Sequence, residues 1–259
     1  MSGALAGRAV LVTRPAGMSG RLAALLCAEG GEAVLLPAIE ILPPDDTAKL
    51  DAAIDRLEGF DIAVFVSPTA VQKANAAVRA RREWPTRLKY GAVGSETARA
   101  LREIGVADVL SPQGRGDSEA LAALPELADV TERRIVIFRG QGGREALREA
   151  LVARGAQVEY AECYRRARPR AEVGPLVERW GRGGIDAVSV TSIKGLENLF
   201  ALLGAAGTSG PALLRATPVF VPHPRVGEAA RSFGVERVIV TAAGDEALAQ
   251  ALVAFFAKV

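Results

Sequence analysis

Arg14 closes the run VLVTR and Arg139 closes IVIFR, so twice in one chain a guanidinium stands at the exit of an apolar, strand-forming stretch. A guanidinium stays charged at any physiological pH and presents a rigid fork of donors, which suits a carboxylate or a phosphate. Hydroxyl side chains stand at similar exits: Ser67 after DIAVFV, Thr191 and Ser192 after DAVSV with Lys194 close behind, and Thr97 within VGSETA. In parallel sheets such exits lead into helix N-termini, whose free N–H groups also favour anions. The chemistry implied is capture of an anionic ligand. A purely structural role is open to each residue as well, with Ser67 and Ser192 as helix caps and the arginines as ion-pair partners.

Other chemistries fit less well. GQGGRE at 140–145 follows an apolar run, opens a helical pattern and precedes Glu162 by a spacing that a ribose-binding acid would have. A dinucleotide fingerprint, however, requires glycine where Glu145 stands, and an acid there repels pyrophosphate. No Walker A lysine motif is present. The single histidine, His223 in VPHP, reads as a loop residue; without clustered ligands, neither a metal nor a cofactor is expected. Cys27 and Cys163 lie far apart and outside any C-x-x-C, so reduced thiols are expected. RGD at 115–117 reads as a turn into the capped helix DSEALAAL.

The bulk properties agree with a small-molecule protein. A net charge of +2 and 5% aromatic residues supply neither a basic field nor stacking platforms, so nucleic acid is not an expected partner. No apolar run approaches the ~20 residues of a membrane span, and MSGALAGRAVLV lacks a basic lead into a long apolar stretch. A cytoplasmic protein without membrane contact is the expectation.

The elements that must hold these residues follow a βα rhythm. Short apolar runs at 10–15, 33–37, 62–67, 90–93, 135–139, 158–160, 187–191, 219–221 and 238–240 alternate with amphipathic, alanine- and leucine-rich segments. Hydrophobicity that is continuous within the runs implies burial on both faces, hence parallel sheets flanked by helices. At 259 residues the chain exceeds the ~100–150 residues of one ordinary domain. It also repeats itself at an offset of about 125 residues. VLVTRP meets IVIFRG, DIAVFVSPTAV meets DAVSVTSIKGL, YGAVGSETARALREIGV meets PVFVPHPRVGEAARSFGV, and GDSEALAAL meets GDEALAQAL. Proline-rich or charged stretches at 36–46 and 160–170 occupy equivalent places and read as linkers. The pattern leaves open whether the opening β-α-β of each repeat packs on its own repeat or on the other.

Taken together, VLVTRP, DIAVFVSPTAV, YGAVGSETARALREIG, RIVIFRGQGGREALREAL, RGAQVEYAECYRR and DAVSVTSIKGLENL resemble uroporphyrinogen-III synthase over essentially the whole chain. The resemblance implies two similar α/β lobes, flavodoxin- or Rossmann-like, joined by a two-stranded linker. Residues 1–36 and 170–259 would form one lobe, 43–161 the other, and 37–42 with 162–169 the linker strands, acting as a hinge. It implies a lyase of tetrapyrrole biosynthesis that closes hydroxymethylbilane, a linear tetrapyrrole polycarboxylate, with inversion of ring D and loss of water, as a monomer and without a cofactor. Tyr164 in ECYRR would be the catalytic residue. Arg14, Ser67, Thr97, Arg139, Thr191, Ser192 and Lys194 would bind substrate, with Arg144 and Arg165 as further candidates. In the second copy of VGSETA, Val226 replaces a threonine common among relatives, which puts a hydroxyl role at that loop in doubt. A two-lobed small-molecule binding or sensor protein, or a nucleotide-dependent α/β enzyme using GQGGRE, are the competing readings.

Overall fold

The most apolar runs of the chain become its central strands. In the computed structural model, which describes residues 3–113 and 116–257, AVLV, IAVF and IVIFRG are buried along their whole lengths. In chain order the elements are β1 (Ala9–Val12), α1 (Gly20–Ala28), β2 (Glu32–Leu35), β3 (Glu40–Leu42), α2 (Ala48–Asp55), β4 (Ile62–Phe65), α3 (Pro68–Arg79), β5 (Lys89–Ala92) and α4 (Ser95–Glu103). They continue as β6 (Val109–Leu110), α5 (Ser118–Ala122), β7 (Arg134–Gly140), α6 (Ala146–Ala153), β8 (Gln157–Ala167), α7 (Gly174–Gly181) and β9 (Ala187–Ser189). The chain ends with α8 (Ile193–Ala205), α9 (Ser209–Ala216), β10 (Val219–Val221), α10 (Pro224–Ser232), β11 (Val238–Val240) and α11 (Asp245–Phe256).

Two sheets result, ordered β11-β10-β9-β1-β2 and β3-β8-β7-β4-β5-β6. The five-stranded sheet is parallel throughout, as are β8-β7-β4-β5-β6 of the other. The chain divides into two compact units, residues 1–41 with 167–259 and residues 42–166. Read against the internal repeat, this sheet order decides the packing question. The opening strands β1 and β2 of the first repeat lie beside β9–β11 of the second, and β7 and β8 of the second repeat lie beside β4–β6 of the first. Each unit is therefore assembled from both repeats.

Within the first unit, successive residues of β1 point to opposite faces: Ala9 and Leu11 pack with Val188, Val219 and Leu199, while Val10 and Val12 pack with Leu22, Leu26, Phe220 and Leu252. Helices cover both sides, which is the burial that a continuous apolar strand requires. In the second unit Ile135 and Ile137 pack with Ile62, Val64, Leu147 and Leu151. A set of rings forms elsewhere in that unit, with Phe65 stacked on Phe138 at 5.0 Å and edged by Trp84. Residues 162–167, within the stretch expected as a linker strand, are continuous with 157–161 in the eleven-residue strand β8, whose outer neighbour is β3, from the other expected linker strand. Arg115, the start of the RGD turn, lies outside the described residues.

Candidate active site

The site in the second unit starts from an irregularity in the β7/β8 ladder. The pairing runs in register from Arg134 with Gln157 to Arg139 with Glu162 and then skips one residue, so that Gly140 faces Tyr164. Such a bulge re-aims the side chain that follows it. The approach is close: a Cβ on Gly140 would sit 2.7 Å from Cε2 and Cζ of the Tyr164 ring, so this position admits no side chain. Gln141 N–H holds the strand there by donating to Tyr164 O at 2.7 Å. Cys163, the skipped residue, turns its sulfur toward Arg139 O at 3.3 Å, and burial pushes its thiol up to about 12, which makes it an inert filler.

Tyr164 is fully buried, yet it lines a pocket of about 180 Å³ at the strand ends together with Arg139, Arg144, Arg166, Tyr160 and Ser118. Its Oη lies 3.1 Å from Ser67 Oγ and accepts a hydrogen bond from Arg166 Nη2 at 2.8 Å, with the Arg166 guanidinium 5.2 Å from the ring centroid. Ser67 is also the N-cap of α3, accepting from Ala70 N–H at 3.1 Å ahead of Pro68 at the first helical position. Its cap role and its contact with the phenol coexist. Thr97 is buried in the first turn of α4.

Arg139 departs from the expected outward-facing anchor. Its side chain is only 5% exposed, and its donors go to Gly140 O at 3.2 Å, to Gly142 O, to Arg144 O at 3.4 Å and to Glu145 Oε1 at 3.0 Å. Its guanidinium also stacks over Tyr160, 4.3 Å from the ring centroid. The physical reason is the left-handed backbone at Gly142 and Gly143, which curls the loop so that its carbonyls face the arginine. Glu145 completes the arrangement by accepting from Tyr160 Oη at 2.8 Å, and this bond, with Arg139 beside it, holds the Glu145 carboxyl below its ordinary value. Burial and the same bond push Tyr160 up to about 12. Gly142 N–H donates to Glu162 at 3.2 Å. The loop that could have cradled a pyrophosphate is thus filled by the protein's own groups, against the nucleotide reading.

Arg14, at the matching position in the first unit, is held differently. Its Nη2 lies 2.6 Å from Asp245 Oδ1 at the start of α11, with the two side chains 20% and 10% exposed. Among the described residues, Arg14 Nε and Asp245 Oδ1 have no hydrogen-bond partner, so the contact is an ion pair without a well-aligned hydrogen bond. Ser192 caps α8 by accepting from Gly195 N–H at 3.0 Å, Thr191 precedes it half-buried, and Lys194 pairs with Glu197 at 3.0 Å. His223, expected as a plain loop residue, caps α10 by accepting from Arg225 N–H at 3.3 Å. Val226 is in the core, which accounts for the missing hydroxyl there. Arg144 and Arg165 pair with Glu119 at 3.6 Å and Asp45 at 2.8 Å.

Sequence reasoning missed Arg166 and Asp245. Arg166 sits in the charged run YRRARPR, where nothing separates it from its neighbours. Asp245 could have been found, because GDEALAQAL and GDSEALAAL share an aspartate, Asp245 and Asp117, at an offset of 128, close to the 125 that separates the two arginines.

Comparison with known proteins bears directly on these features. Residues 20–250 match the model of the family described as uroporphyrinogen-III synthase HemD. The chain is 37% identical to the uroporphyrinogen-III synthase of Salmonella typhimurium over 194 residues, 74% of this chain and 79% of that protein. Against that of Escherichia coli it is 35% identical over 195 residues, with 75% and 79% covered. A crystal structure of a mutant uroporphyrinogen III synthase from Thermus thermophilus superposes with a TM-score of 0.61 at 19% identity, covering 97% of this chain and all of that one. The Helicobacter pylori enzyme gives 0.59 at 11% identity, covering 96% and 99%, and at these identities both structures speak for the two-lobed α/β fold alone. Because the family model spans most of the chain and relatives above 30% identity cover more than two thirds of it, the chain belongs to the uroporphyrinogen-III synthase family.

Proposed function

We propose that the strand-end pocket around Tyr164 carries the chemical step of uroporphyrinogen-III synthesis in this chain. The protein is a lyase of tetrapyrrole biosynthesis. Its substrate in this reading is hydroxymethylbilane, and the step begins when the terminal C–O bond breaks. The electron pair stays on oxygen, the Tyr164 hydroxyl supplies the proton, and water leaves. The remaining carbon is a cation conjugated with its pyrrole nitrogen. The substituted carbon of ring D attacks it, and the spiro intermediate fragments and recloses with ring D inverted. Loss of a ring proton returns the proton to the tyrosine, so the balance is uroporphyrinogen III plus water.

The single observation carrying this reading is the phenol oxygen of Tyr164, set between Ser67 Oγ and the Arg166 guanidinium on a pocket rich in cations. Ser67 orients the hydroxyl, and Arg139 serves by shaping the loop that walls the pocket. Arg14, Thr191, Ser192, Lys194 and Thr97 are proposed to bind the substrate's carboxylates and ring nitrogens. The protein is proposed to act as a monomer in the cytoplasm, a reading supported by its two free thiols, which suit a reducing compartment. Among the described residues no helix is long and apolar enough to cross a membrane.

Tyr164→Phe tests the assignment, since it keeps the ring against Gly140 and deletes only the hydroxyl. A general acid commonly contributes ~10²–10⁴-fold, and an electron-rich pyrrole expels hydroxide with modest help, so a fall near or below the low end is expected. The product formed under enzyme excess should remain largely the III isomer, because the fold of the bound tetrapyrrole sets the isomer. Wild-type turnover in this variant would remove Tyr164 from the chemistry. Formation of uroporphyrinogen I alone by the wild-type protein would overturn the functional reading itself.

A further inference from the structure

The other arginines on or near the pocket are committed to carboxylates: Arg139 to Glu145, Arg144 to Glu119 and Arg165 to Asp45. Arg166 differs. Its side chain is exposed at the end of β8, and its recorded partner is the phenol of Tyr164, bonded at Oη and stacked at the ring face. A guanidinium has no acceptor, so the direction of that bond is fixed: Arg166 donates and Tyr164 Oη accepts. One lone pair of the phenol oxygen is thereby occupied, and the hydroxyl proton remains available to Ser67 Oγ or to a ligand in the pocket.

We propose that Arg166 is a positioning residue for the reaction, acting through Tyr164 by holding a positive charge against the oxygen that gives up the proton. The inference rests on the assignment of Tyr164 as the proton donor. As the proton passes to the departing hydroxyl, negative charge grows on Oη, and a cation already 2.8 Å away stabilises it without rearrangement. The interaction is stronger in the transition state than in the ground state, because the neutral phenol becomes an anion only as the step proceeds, so its loss belongs in kcat. Stacking over the ring holds the guanidinium against the phenol.

The experiment is a double-mutant cycle on the full-length protein, with steady-state kinetics on hydroxymethylbilane and a thermal melt of each variant. Arg166→Gln, which keeps a planar donor and removes the charge, should lower kcat about ten-fold with KM within about two-fold of wild type, as expected for one charge-assisted bond formed to a developing anion. Arg166→Lys should recover most of kcat. On the Tyr164→Phe background, Arg166→Gln should produce no further loss. The inference is overturned if the loss lies in KM, if lysine does not rescue a variant that melts normally, or if the two substitutions multiply independently. Tyr164→Phe alone separates this from the underlying reading, since wild-type turnover there would remove the tyrosine before Arg166 is touched.

Discussion

Arg14 and Arg139 occupy matching positions of the internal repeat, yet the two units use them for different work. Each unit contains a strand-end arginine from one repeat and a helix-start aspartate from the other, but among the described residues only the first unit pairs them. In the first unit Arg14 meets Asp245; in the second Arg139 turns to Glu145 of its own loop while Asp117 caps α5 by accepting from Ala120 N–H at 2.8 Å. The difference traces to the residue after each arginine. Pro15 fixes its own φ, whereas Gly140 admits the ring of Tyr164 and leads into a loop with two left-handed glycines that wraps the guanidinium. The corresponding stretch of the first repeat, LPAIEIL, has no tyrosine. Duplication supplied two strand-end cations; one was folded inward to build a wall, and the other was left half-exposed. Tyr164, the residue proposed for the chemistry, lies where the wall was built.

The sharpest way to break this comparison is Gly140→Ala. A methyl group 2.7 Å from two ring carbons of a fully buried tyrosine has nowhere to go, so the ring or the strand must shift. Overpacking of this kind costs about 1–3 kcal/mol, and displacing Tyr164 should lower kcat at least as far as Tyr164→Phe does. Retention of kcat with an unchanged melting point would mean that the close approach is incidental. A second contrast, read in stability and KM and not in the chemical step, separates the arginines themselves. Arg139→Ala deletes a buried side chain and strands the carbonyls it binds, for an expected loss of about 2–4 kcal/mol in chemical denaturation. Arg14→Ala should cost only about 1 kcal/mol, because the helix α11 N-terminus continues to stabilise Asp245. Its signature should be kinetic, a KM raised about ten-fold with kcat held, as for an anchor that binds substrate and transition state alike. Equal stability losses in the two variants would erase the distinction drawn here.

The strands carrying these residues were legible because each is apolar along its length: the runs at 62–67, 135–139 and 219–221 correspond to β4, β7 and β10. β3 lies within the 37–42 linker strand that the family resemblance implied, whereas β6 escaped notice because two residues are too few to show a period. Apolar pattern alone marked only 158–160 of β8, because the rest of QVEYAECYRRA is polar and charged, while the family resemblance implied a strand over 162–169. The exchange of β-α-β openings between repeats could not be read from the internal repeat, which identifies equivalent segments and says nothing of which sheet each joins; it was implied by the family resemblance alone. Ser67 was legible both as a cap and as a cleft hydroxyl, because one oxygen can serve both needs. The inward turn of Arg139 was not, since it depends on carbonyls presented by Gly142 and Gly143 and on a glutamate six residues on, none of which has a signature apart from the folded loop.

The smallest expected effect concerns that glutamate and sharpens the claim that the loop is held by its own charges. Glu145 has its carboxyl lowered by the bond from Tyr160 and by Arg139, so folding favours its ionised form. A lowered carboxyl contributes stability that is present above its unfolded value, near pH 4.3, and is lost as pH falls through the lower folded value. Glu145→Gln removes the titration while preserving a group able to accept from Tyr160. The wild-type protein should therefore melt slightly above the variant at pH 6, and the gap should close as pH is lowered toward 3. Since the carboxylate is half-exposed, salt should narrow the gap as well. A gap that is unchanged between pH 6 and pH 3 would show that shape alone, and not the ionised Glu145, keeps the loop closed around Arg139.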